Sequence, residues 1–415
     1  MRYVIIGNSA AGIAAVEGIR QIDREGEITV VTDENYHTYS RPLISYLLRG
    51  KVTREGMNYR GENFYNDNNC RLRLQTRVDK IDADKKCAIL SDGESVPYDK
   101  LLVATGSSAF VPPFEGLDTV ENKHCFMSMD DAIELNDTLD ESSRVLIIGA
   151  GLIGLKCAEG IAERVSHITV VDLAPRILSS ILDIDGANRV QTHLESCGIE
   201  FKLASVVKRF DGNSAVIECE NNEQNQKVIE FDALVIAVGV RPNTELLKDI
   251  ALIDKGIVVN VKSETTVPDI YAAGDCAQTF DISSGDSKIM AVLPNAYMQG
   301  ECAGINMAGG EKVFDKAMPM NAIGFFGMHM ITAGTYSGEI VAFEDSDCYR
   351  RFFFGDNRLN GFILIGDVAK AGIYTNLIRE RTPLDTIDFS LICEKPGLMA
   401  FRKDERIIKL GGGAI

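Results

Sequence analysis

The feature that most constrains this chain is a segment that occurs twice: a short apolar run, a glycine-rich turn and a helix with an apolar pattern. The first copy, RYVIIGNSAAGIAAVEGIR, begins at Arg2, and the second, RVLIIGAGLIGLKCAEGIAERV, begins at Arg144. The unpaired N–H groups at the start of such a helix can bind the phosphates of a dinucleotide. Continuous β-branched runs before the turns indicate strands of parallel sheets that are buried on both faces. We therefore predict two doubly wound, Rossmann-like dinucleotide-binding units in an α/β chain.

The first glycine turn departs from the usual G-x-G-x-x-G pattern, because Ser9 stands in place of the second glycine. Gly7 permits the tight turn and Gly12 permits close packing of helix on strand, while Ser9 is small enough for phosphates to approach. An acidic residue about twenty positions further on would bind ribose hydroxyls. The alternative is a purely structural strand–helix turn. The residues predicted to bind a cofactor here are Gly7, Ser9, Ala10, Ala11, Gly12, Asp33 and Glu34.

The second turn has all three glycines of the pattern, and Asp172 ends the strand that follows its helix. This carboxylate can accept hydrogen bonds from both ribose hydroxyls of an adenosine, whereas a 2′-phosphate would bring a negative charge against it. The position of Asp172 therefore favours NAD over NADP, although Arg176 lies close enough in sequence to weaken the preference. The residues predicted to bind a cofactor here are Gly149, Gly151, Leu152, Ile153, Gly154 and Asp172.

Length and charge narrow the possible functions. A chain of 415 residues is expected to form two or three domains. Its net charge of −17 argues against nucleic acid or an anionic membrane as a partner. The apolar run from Val145 to Leu155 is shorter than the ~20 residues of a membrane span, and no signal-peptide pattern is recognisable. We expect a cytoplasmic protein that binds neither nucleic acid nor a membrane.

The cysteines and histidines do not have the spacing of a metal site or a redox motif. The ten cysteines include no C-x-x-C or C-x-x-x-x-C pair, and the five histidines do not cluster with them. In a cytoplasmic chain the cysteines are then expected to be reduced and mostly buried thiols. We predict no metal site.

The C-terminal part has a different composition and pattern. From about Asn321 the sequence has aromatic, alternating segments such as RRFFFGDNRLNGFILIGD, which predict antiparallel strands in an α+β domain. Residues 321–415 carry 11 Lys and Arg against 12 Asp and Glu, so nearly all of the negative charge lies on the first 320 residues. A nearly neutral segment on an acidic chain indicates either a distinct surface role or an ordinary third domain.

Six motifs follow one another in a recognisable order: VIIGNSAAG, YSRPLIS, LLVATG, VLIIGAGLIG, VIAVGVRPNTEL and IYAAGDCA. In this order and spacing, residues 1–320 resemble the FAD- and NAD(P)-dependent pyridine nucleotide oxidoreductases. Within that family the chain looks closest to NADH:rubredoxin and NADH:ferredoxin reductases and to the flavin portion of assimilatory nitrite reductases. The Arg-Pro-Leu of YSRPLIS is the cue that these groups share.

The resemblance assigns FAD to the first glycine turn and NADH to the second, with hydride passing from nicotinamide to flavin. It implies a discontinuous FAD-binding domain (residues 1–112 and 241–320), an NAD-binding domain (113–240) and a C-terminal interface domain (321–415). By family match, Arg41 approaches the FAD pyrophosphate, Val78 touches the adenine and Asp275 holds the ribityl chain. The further cofactor-binding residues that it implies are Pro42, Ala104, Thr105, Gly106, Gly239 and Gly274.

Two departures from the family pattern affect the chemistry. The disulfide reductases carry a cysteine pair after the first helix, but this chain has no cysteine before Cys70. We therefore expect no redox-active disulfide, and no catalytic acid, base or nucleophile, because hydride transfer depends on geometry and flavin electronics. Relatives also often place a glutamate beside the nicotinamide, where this chain has Lys156. Lys156 and Glu159, which lie on one helical face, are the possible nicotinamide-side contacts.

The resemblance implies a small redox protein as the electron acceptor, such as rubredoxin, ferredoxin or an iron–sulfur partner subunit. A flavin-only NADH oxidase and a non-catalytic redox-sensing or scaffold flavoprotein are the alternatives, and the chain could act as a homodimer or in a larger complex. Acidic acceptors would be steered by a local positive patch. Its candidate residues are Arg350, Arg351, Arg358, Arg379 and Arg381, unless they pair with neighbours such as Asp356 and Glu380.

Overall fold

The computed structural model describes residues 1–219, 226–394, 397–401 and 406. The chain divides into two compact units. The first comprises Met1–Ser180, Ala187–Thr279 and Ser287–Phe314, and the second comprises Ile181–Gly186, Phe280–Asp286 and Asp315–Ile415. The second unit thus includes two short segments from earlier in the chain. The three domain boundaries drawn from the sequence stay predictions.

The strands of the described residues are, in chain order, β1 (Arg2–Ile6), β2 (Glu27–Val31), β3 (Cys70–Arg73), β4 (Val78–Asp82), β5 (Cys87–Leu90), β6 (Ser95–Pro97), β7 (Lys100–Val103), β8 (Ser107–Ala109), β9 (Lys123–His124), β10 (Arg144–Ile148), β11 (His167–Val171), β12 (Ile199–Lys202), β13 (Ser205–Asp211), β14 (Ser214–Cys219), β15 (Gln226–Glu230), β16 (Ala233–Ile236), β17 (Val240–Pro242), β18 (Ile270–Ala272), β19 (Gln278–Phe280), β20 (Ser287–Ile289), β21 (Met320–Phe325), β22 (Met328–Gly334), β23 (Glu339–Glu344), β24 (Tyr349–Gly355) and β25 (Arg358–Ile365).

The helices are α1 (Ala10–Ile22), α2 (Ile44–Leu48), α3 (Phe64–Asp67), α4 (Met129–Thr138), α5 (Leu152–Ile161), α6 (Ile184–Ser196), α7 (Leu293–Met307), α8 (Ala371–Arg379) and α9 (Phe389–Glu394). Within the ranges described above, none of them is long and apolar enough to cross a membrane.

The first unit contains two five-stranded parallel sheets with a common plan. Their strand orders are β18-β7-β1-β2-β3 and β12-β11-β10-β16-β9. The central strands are β1 and β10, whose apolar side chains are buried, and each leads directly into a glycine turn and a helix. The two predicted doubly wound units are therefore confirmed. Strand β18 comes from far along the chain yet pairs with β7 of the first sheet.

Helices α1 and α7 pack so closely that their contact requires glycine. A Cβ atom added to Gly300 would lie 2.1 Å from the carbonyl oxygen of Ala11, and one added to Gly304 would lie 2.2 Å from that of Ala15. The helix that begins at the first glycine turn is thereby held by backbone contact with a helix nearly three hundred residues later. This close packing fixes the direction in which the N-terminus of α1 points.

The second unit is built on an antiparallel sheet of order β21-β22-β25-β24-β23. Phe352 and Phe362 lie opposite each other on β24 and β25, and both rings pack with Tyr374 of α8 in the core. The predicted antiparallel α+β architecture of the C-terminal part is confirmed.

We expect Gly304→Ala to lower the free energy of unfolding of the first unit by about 1–3 kcal/mol, because the added methyl group forces α1 and α7 apart. Gly61→Ala is the matched control, since no atom lies within 4 Å of the Cβ position at Gly61. It should change the unfolding free energy by no more than ~0.5 kcal/mol. Urea unfolding of both variants checks this, and equal stabilities would contradict the packing account.

Candidate dinucleotide-binding sites

The first glycine turn is locked by backbone contacts. Gly7 has a φ of +117°, and a Cβ atom there would lie 2.1 Å from the carbonyl oxygen of Ala104. A Cβ atom on Gly12 would lie 2.1 Å from the carbonyl oxygen of Gly7. Ser9 caps α1 without a side-chain hydrogen bond to the helix. The first N–H groups of α1 are therefore not capped by the Ser9 side chain, and N–H groups at the start of a helix can bind a phosphate.

The second glycine turn repeats the first in detail. Gly149 has a φ of +113°, and a Cβ atom there would lie 2.2 Å from the carbonyl oxygen of Ala237. A Cβ atom on Gly154 would lie 2.0 Å from the carbonyl oxygen of Gly149. Gly151 caps α5 and has open space at its Cβ position. Ser9 occupies the same N-cap position in the first turn, so the departure from the glycine pattern leaves the backbone geometry intact.

Asp172 faces the second glycine turn from the end of β11. Its Oδ2 accepts a 2.6 Å hydrogen bond from the backbone N–H of Ala150, and its Oδ1 accepts a 2.7 Å bond from that of Ala174. These bonds fix the carboxylate beside the turn. Arg176 lies on the same loop, but its guanidinium donates to the carbonyl oxygen of Ser179, at 3.1 Å.

Of the two acids predicted after β2, Glu34 has side-chain hydrogen-bond partners, whereas Asp33 is exposed. Glu34 accepts 2.8 Å hydrogen bonds from Arg41 through Oε2 and from the Tyr39 hydroxyl through Oε1. Arg41 also donates to the carbonyl oxygen of Met127, at 3.2 Å. Burial raises the pKa of the Tyr39 hydroxyl, which therefore stays protonated and acts as a donor. Glu34, Tyr39 and Arg41 thus form one hydrogen-bonded group.

Asp275 lies just beyond β18 and accepts a 3.1 Å hydrogen bond from the hydroxyl of Ser107. Burial raises the pKa of this carboxyl, while the hydrogen bond from Ser107 and the charge of Arg41 act in the opposite direction. The structure therefore brings Asp275 and Arg41 within electrostatic reach of each other. Ser107 was not among the residues predicted from the sequence, although its position directly after the Ala-Thr-Gly turn was a usable signal.

Two buried polar atoms in the segment between Glu34 and Arg41 have no hydrogen-bond partner among the described residues: Nε2 of His37 and Oγ1 of Thr38. The Nδ1 of His37 lies 3.1 Å from the carbonyl oxygen of Thr38. Because that oxygen can only accept, Nδ1 must be the donor, and Nε2 is left available to a further group. Unpaired buried polar atoms are costly, and an oxygen-rich ligand would relieve that cost. These atoms and the partly desolvated Asp275 fit a bound dinucleotide such as FAD.

The structure also places the other residues that were predicted to bind a cofactor. Thr105 and Asn243 exchange hydrogen bonds of 2.7 and 2.9 Å, and Gly106 and Gly239 both have positive φ and open space at their Cβ positions. Val78 is buried at the start of β4. Pro42 lies in the 3-10 turn Arg41–Leu43, Gly274 packs against Ala11, and Ala104 and Ala10 are buried. Leu152 and Ile153 form the first turn of α5.

Lys156 and Glu159 form an ion pair with each other on α5, and Glu159 also pairs with Arg49 at 3.2 Å. Glu159 is only 5% exposed. Arg49 was not among the residues predicted from the sequence, because it lies more than a hundred residues away from its partner in the chain.

Two of the five arginines predicted to form a docking patch, Arg350 and Arg351, have side-chain partners within the second unit. Arg351 pairs with Asp183 at 2.9 Å and with Asp185 at 2.5 Å, rather than with Asp356 or Glu380. Arg350 donates to the sulfur of Cys348 and to the carbonyl oxygen of Glu394. Lys316 is the ion-pair partner of Glu380, at 3.0 Å. Two carboxylates from the segment Ile181–Gly186 thus compensate the charge of Arg351. The partners expected from the sequence, Asp356 and Glu380, were wrong for this arginine.

All ten cysteines are free thiols. Burial raises the pKa of Cys70 to about 12, and it raises that of Cys276, next to Asp275, as well. Neither thiol is ionised near neutral pH, and the thiol form is a poor nucleophile. In the described ranges, no group of three or more His, Cys, Asp or Glu side chains could hold a metal ion.

Comparison with known proteins gives matches along most of the chain. The model of the pyridine nucleotide-disulphide oxidoreductase family matches residues 1–300, and that of the rubredoxin NAD+ reductase C-terminal domain matches residues 319–382. The epsilon subunit of NADH-dependent phenylglyoxylate dehydrogenase from Aromatoleum evansii is 33% identical, over 92% of this chain and 92% of its own. Rubredoxin-NAD(+) reductase from Pseudomonas putida is 31% identical, over 74% of this chain and 80% of its own. A chain of the covalent putidaredoxin reductase–putidaredoxin complex has a TM-score of 0.87 at 23% identity, with 99% of both chains covered, and therefore has the same fold.

We expect Asp275→Asn to make the protein without bound nucleotide more stable at pH 7. Since burial raises the pKa of Asp275 above its ordinary value of 3.8, stability is lost as the pH rises through the folded-state pKa. The amide of the variant cannot ionise, so this loss of stability does not occur. The difference in unfolding free energy between variant and wild type should disappear below about pH 3.8, where the Asp275 carboxyl is neutral as well.

Asp269→Asn is the matched control from the other end of β18. Hydrogen bonds from Lys100 and Lys86 lower the pKa of Asp269, so its carboxylate contributes stability that is present above pH 3.8 and is lost as the pH falls through the lowered pKa. This variant should be less stable at pH 7. Urea unfolding between pH 3 and 8 measures both, and destabilisation by Asp275→Asn at pH 7 would contradict the burial argument.

Proposed function

Since the chain belongs to the pyridine nucleotide-disulphide oxidoreductase family, we propose that it oxidises NADH and passes the electrons through FAD to a small redox protein. The observation that carries the proposal is the pair of glycine turns, each locked by the same backbone contacts and each followed by a helix without a side-chain cap. One chain thus offers two binding sites for dinucleotide phosphates. FAD, when bound, takes an electron pair as hydride from NADH and can release electrons singly.

In this proposal the first turn holds FAD. Its residues from Gly7 to Gly12 receive the pyrophosphate at the N-terminus of α1, with Glu34 and Arg41 beside them. Asp275, at the carboxyl end of β18, accepts hydrogen bonds from the sugar-alcohol chain. The open positions at Gly106 and Gly239 leave the backbone accessible to the cofactor.

The second turn holds NADH rather than NADPH. Asp172 is fixed beside the turn by two backbone N–H groups, and its carboxylate would repel a 2′-phosphate. Arg176 donates to a backbone carbonyl. The preference for NADH therefore follows from the Asp172 carboxylate, which lies at the proposed ribose position.

The proposed acceptor is a small redox protein, supported by the match of residues 319–382 to a rubredoxin reductase C-terminal domain. With no paired cysteines, the chain has no thiol relay to offer a disulfide substrate. We place the protein in the cytoplasm. NADH oxidase activity and redox sensing without turnover are outcomes that acceptor assays distinguish, because only a reductase turns over faster with a protein acceptor than with oxygen.

We expect the purified protein to bind one FAD and to be reduced anaerobically by NADH with two electrons per flavin. No absorbance band of a thiolate–flavin complex should appear, because burial raises the pKa of the Cys70 and Cys276 thiols and keeps them protonated. Titration followed by visible absorbance measures both. A requirement for four electrons would contradict the cysteine argument, and an inability to take up FAD would contradict the proposed function.

We expect Asp172→Ala to reduce the preference for NADH over NADPH by about tenfold or more, because two hydrogen bonds to ribose hydroxyls of about 0.5–1.5 kcal/mol each are lost. The repulsion of the 2′-phosphate is lost with them. Asp211→Ala, on an exposed position of β13, is the control and should leave the ratio unchanged. The ratio of kcat/KM for the two nucleotides is the readout, and an unchanged ratio in Asp172→Ala would contradict the assignment.

A further inference from the structure

A group of charged side chains joins the segment after α2 to α5 and the residues that follow it, and we call it the α2–α5 ion cluster: Arg49, Lys156, Glu159 and Glu163. Arg49 pairs with Glu159 at 3.2 Å and with Glu163 at 2.6 Å, and Lys156 pairs with Glu159. The Glu159 side chain is 7% exposed, whereas that of Glu163 is 67% exposed. The same arginine thus has one buried and one exposed carboxylate partner.

The three largely buried members of the cluster, Arg49, Lys156 and Glu159, depend on one another for charge compensation. Glu159 lies between two cations whose side chains are only 12% and 15% exposed, in surroundings where charges are weakly screened. Without the Glu159 charge, the two cations would lose a shared partner and would repel each other. Removing one member of a buried ionic group is far more disruptive than removing an exposed one.

The backbones of α2 and α5 are also close together at this point. A Cβ atom on Gly160 would lie 3.2 Å from the carbonyl oxygen of Ser45 and from Cδ1 of Leu48. The ammonium group of Lys156 lies 4.9 Å from the centre of the Tyr46 ring, a cation–π distance. The helices therefore meet through both packing and charge.

The position of the cluster along the chain connects it to both nucleotide sites. Helix α2 follows directly on the 3-10 turn Arg41–Leu43, which belongs to the proposed FAD site, and α5 begins at the second glycine turn. A fixed contact between α2 and α5 thus holds the turn Arg41–Leu43 of the proposed FAD site in place relative to the second glycine turn. Hydride transfer depends steeply on such geometry, since a misplacement of about 1 Å can cost 10²-fold in rate.

We propose that Glu159 is a positioning residue, which holds α5 against α2 through Lys156 and Arg49 and so keeps the two nucleotide sites at the separation that hydride transfer requires. This role rests on the proposed function. Glu159 acts through its two cationic partners.

The test compares Glu159→Gln with Glu163→Gln, because both remove one carboxylate charge from Arg49. In Glu159→Gln we expect the rate of flavin reduction at saturating NADH to fall tenfold or more, with a larger isotope effect from NADH deuterated at the transferred position. The dissociation constant for NADH should change less than threefold. Backbone amides of α2 and α5 should exchange hydrogen faster in the protein without nucleotide. Glu163→Gln should stay within twofold of the wild type in every measurement.

Equal reduction rates in the two variants would overturn the proposal, as would a Glu159→Gln variant with weaker NADH binding but an unchanged limiting rate. If Glu159→Gln does not retain FAD, Arg49→Lys takes its place, since it keeps the charge but cannot bridge two carboxylates with a planar fork. A reduction rate in Arg49→Lys equal to that of Glu163→Gln would then overturn it. If NADH does not reduce the wild-type flavin, the proposed function fails, and amide exchange alone still decides whether Glu159 couples the two helices.

Discussion

The close approach of a glycine turn to the backbone of a neighbouring strand end is the constraint on which the rest of the structure depends. At Gly7 and at Gly149 a side chain would overlap a carbonyl oxygen that follows the adjacent parallel strand. This contact brings the turn to the carboxyl edge of its sheet and directs the helix N-terminus outward. The acids at the ends of the second strands, the Ala-Thr-Gly turn and Asp275 all lie where that edge places them. The chemistry of the sites therefore follows from two pairs of backbone contacts.

Much of this organisation could be predicted, because it depends on patterns of residues that are close together in the sequence. The apolar runs before Gly7 and Gly149 predicted the central strands β1 and β10, and the alternating aromatic residues after Asn321 predicted the antiparallel sheet. Ser9 departs from the glycine pattern, but an N-cap position accepts serine readily, so the local geometry is kept. Periodicity and turn chemistry were sufficient at these places.

The partners of the charged side chains could not be predicted, because they come from distant parts of the chain. Arg351 was expected to remain free or to pair with its neighbours, yet its carboxylates are Asp183 and Asp185. Glu159 was identified from its helical face, but its pairing with Arg49 depends on how α2 and α5 pack. Tertiary packing decides which carboxylate pairs with which cation. The spacing of charged residues in the sequence does not predict these pairs.

The assignment of one nucleotide to each turn is tested most directly by a crystal structure of the chain with FAD and NAD+ bound. We predict the FAD pyrophosphate at the N-terminus of α1, between Gly7 and Gly12, and the NAD+ pyrophosphate at the N-terminus of α5, with Asp172 on its adenosine ribose. The two reactive rings should meet near the junction of α2 and α5. Electron density for a dinucleotide at only one turn, or the reverse assignment, would contradict the account.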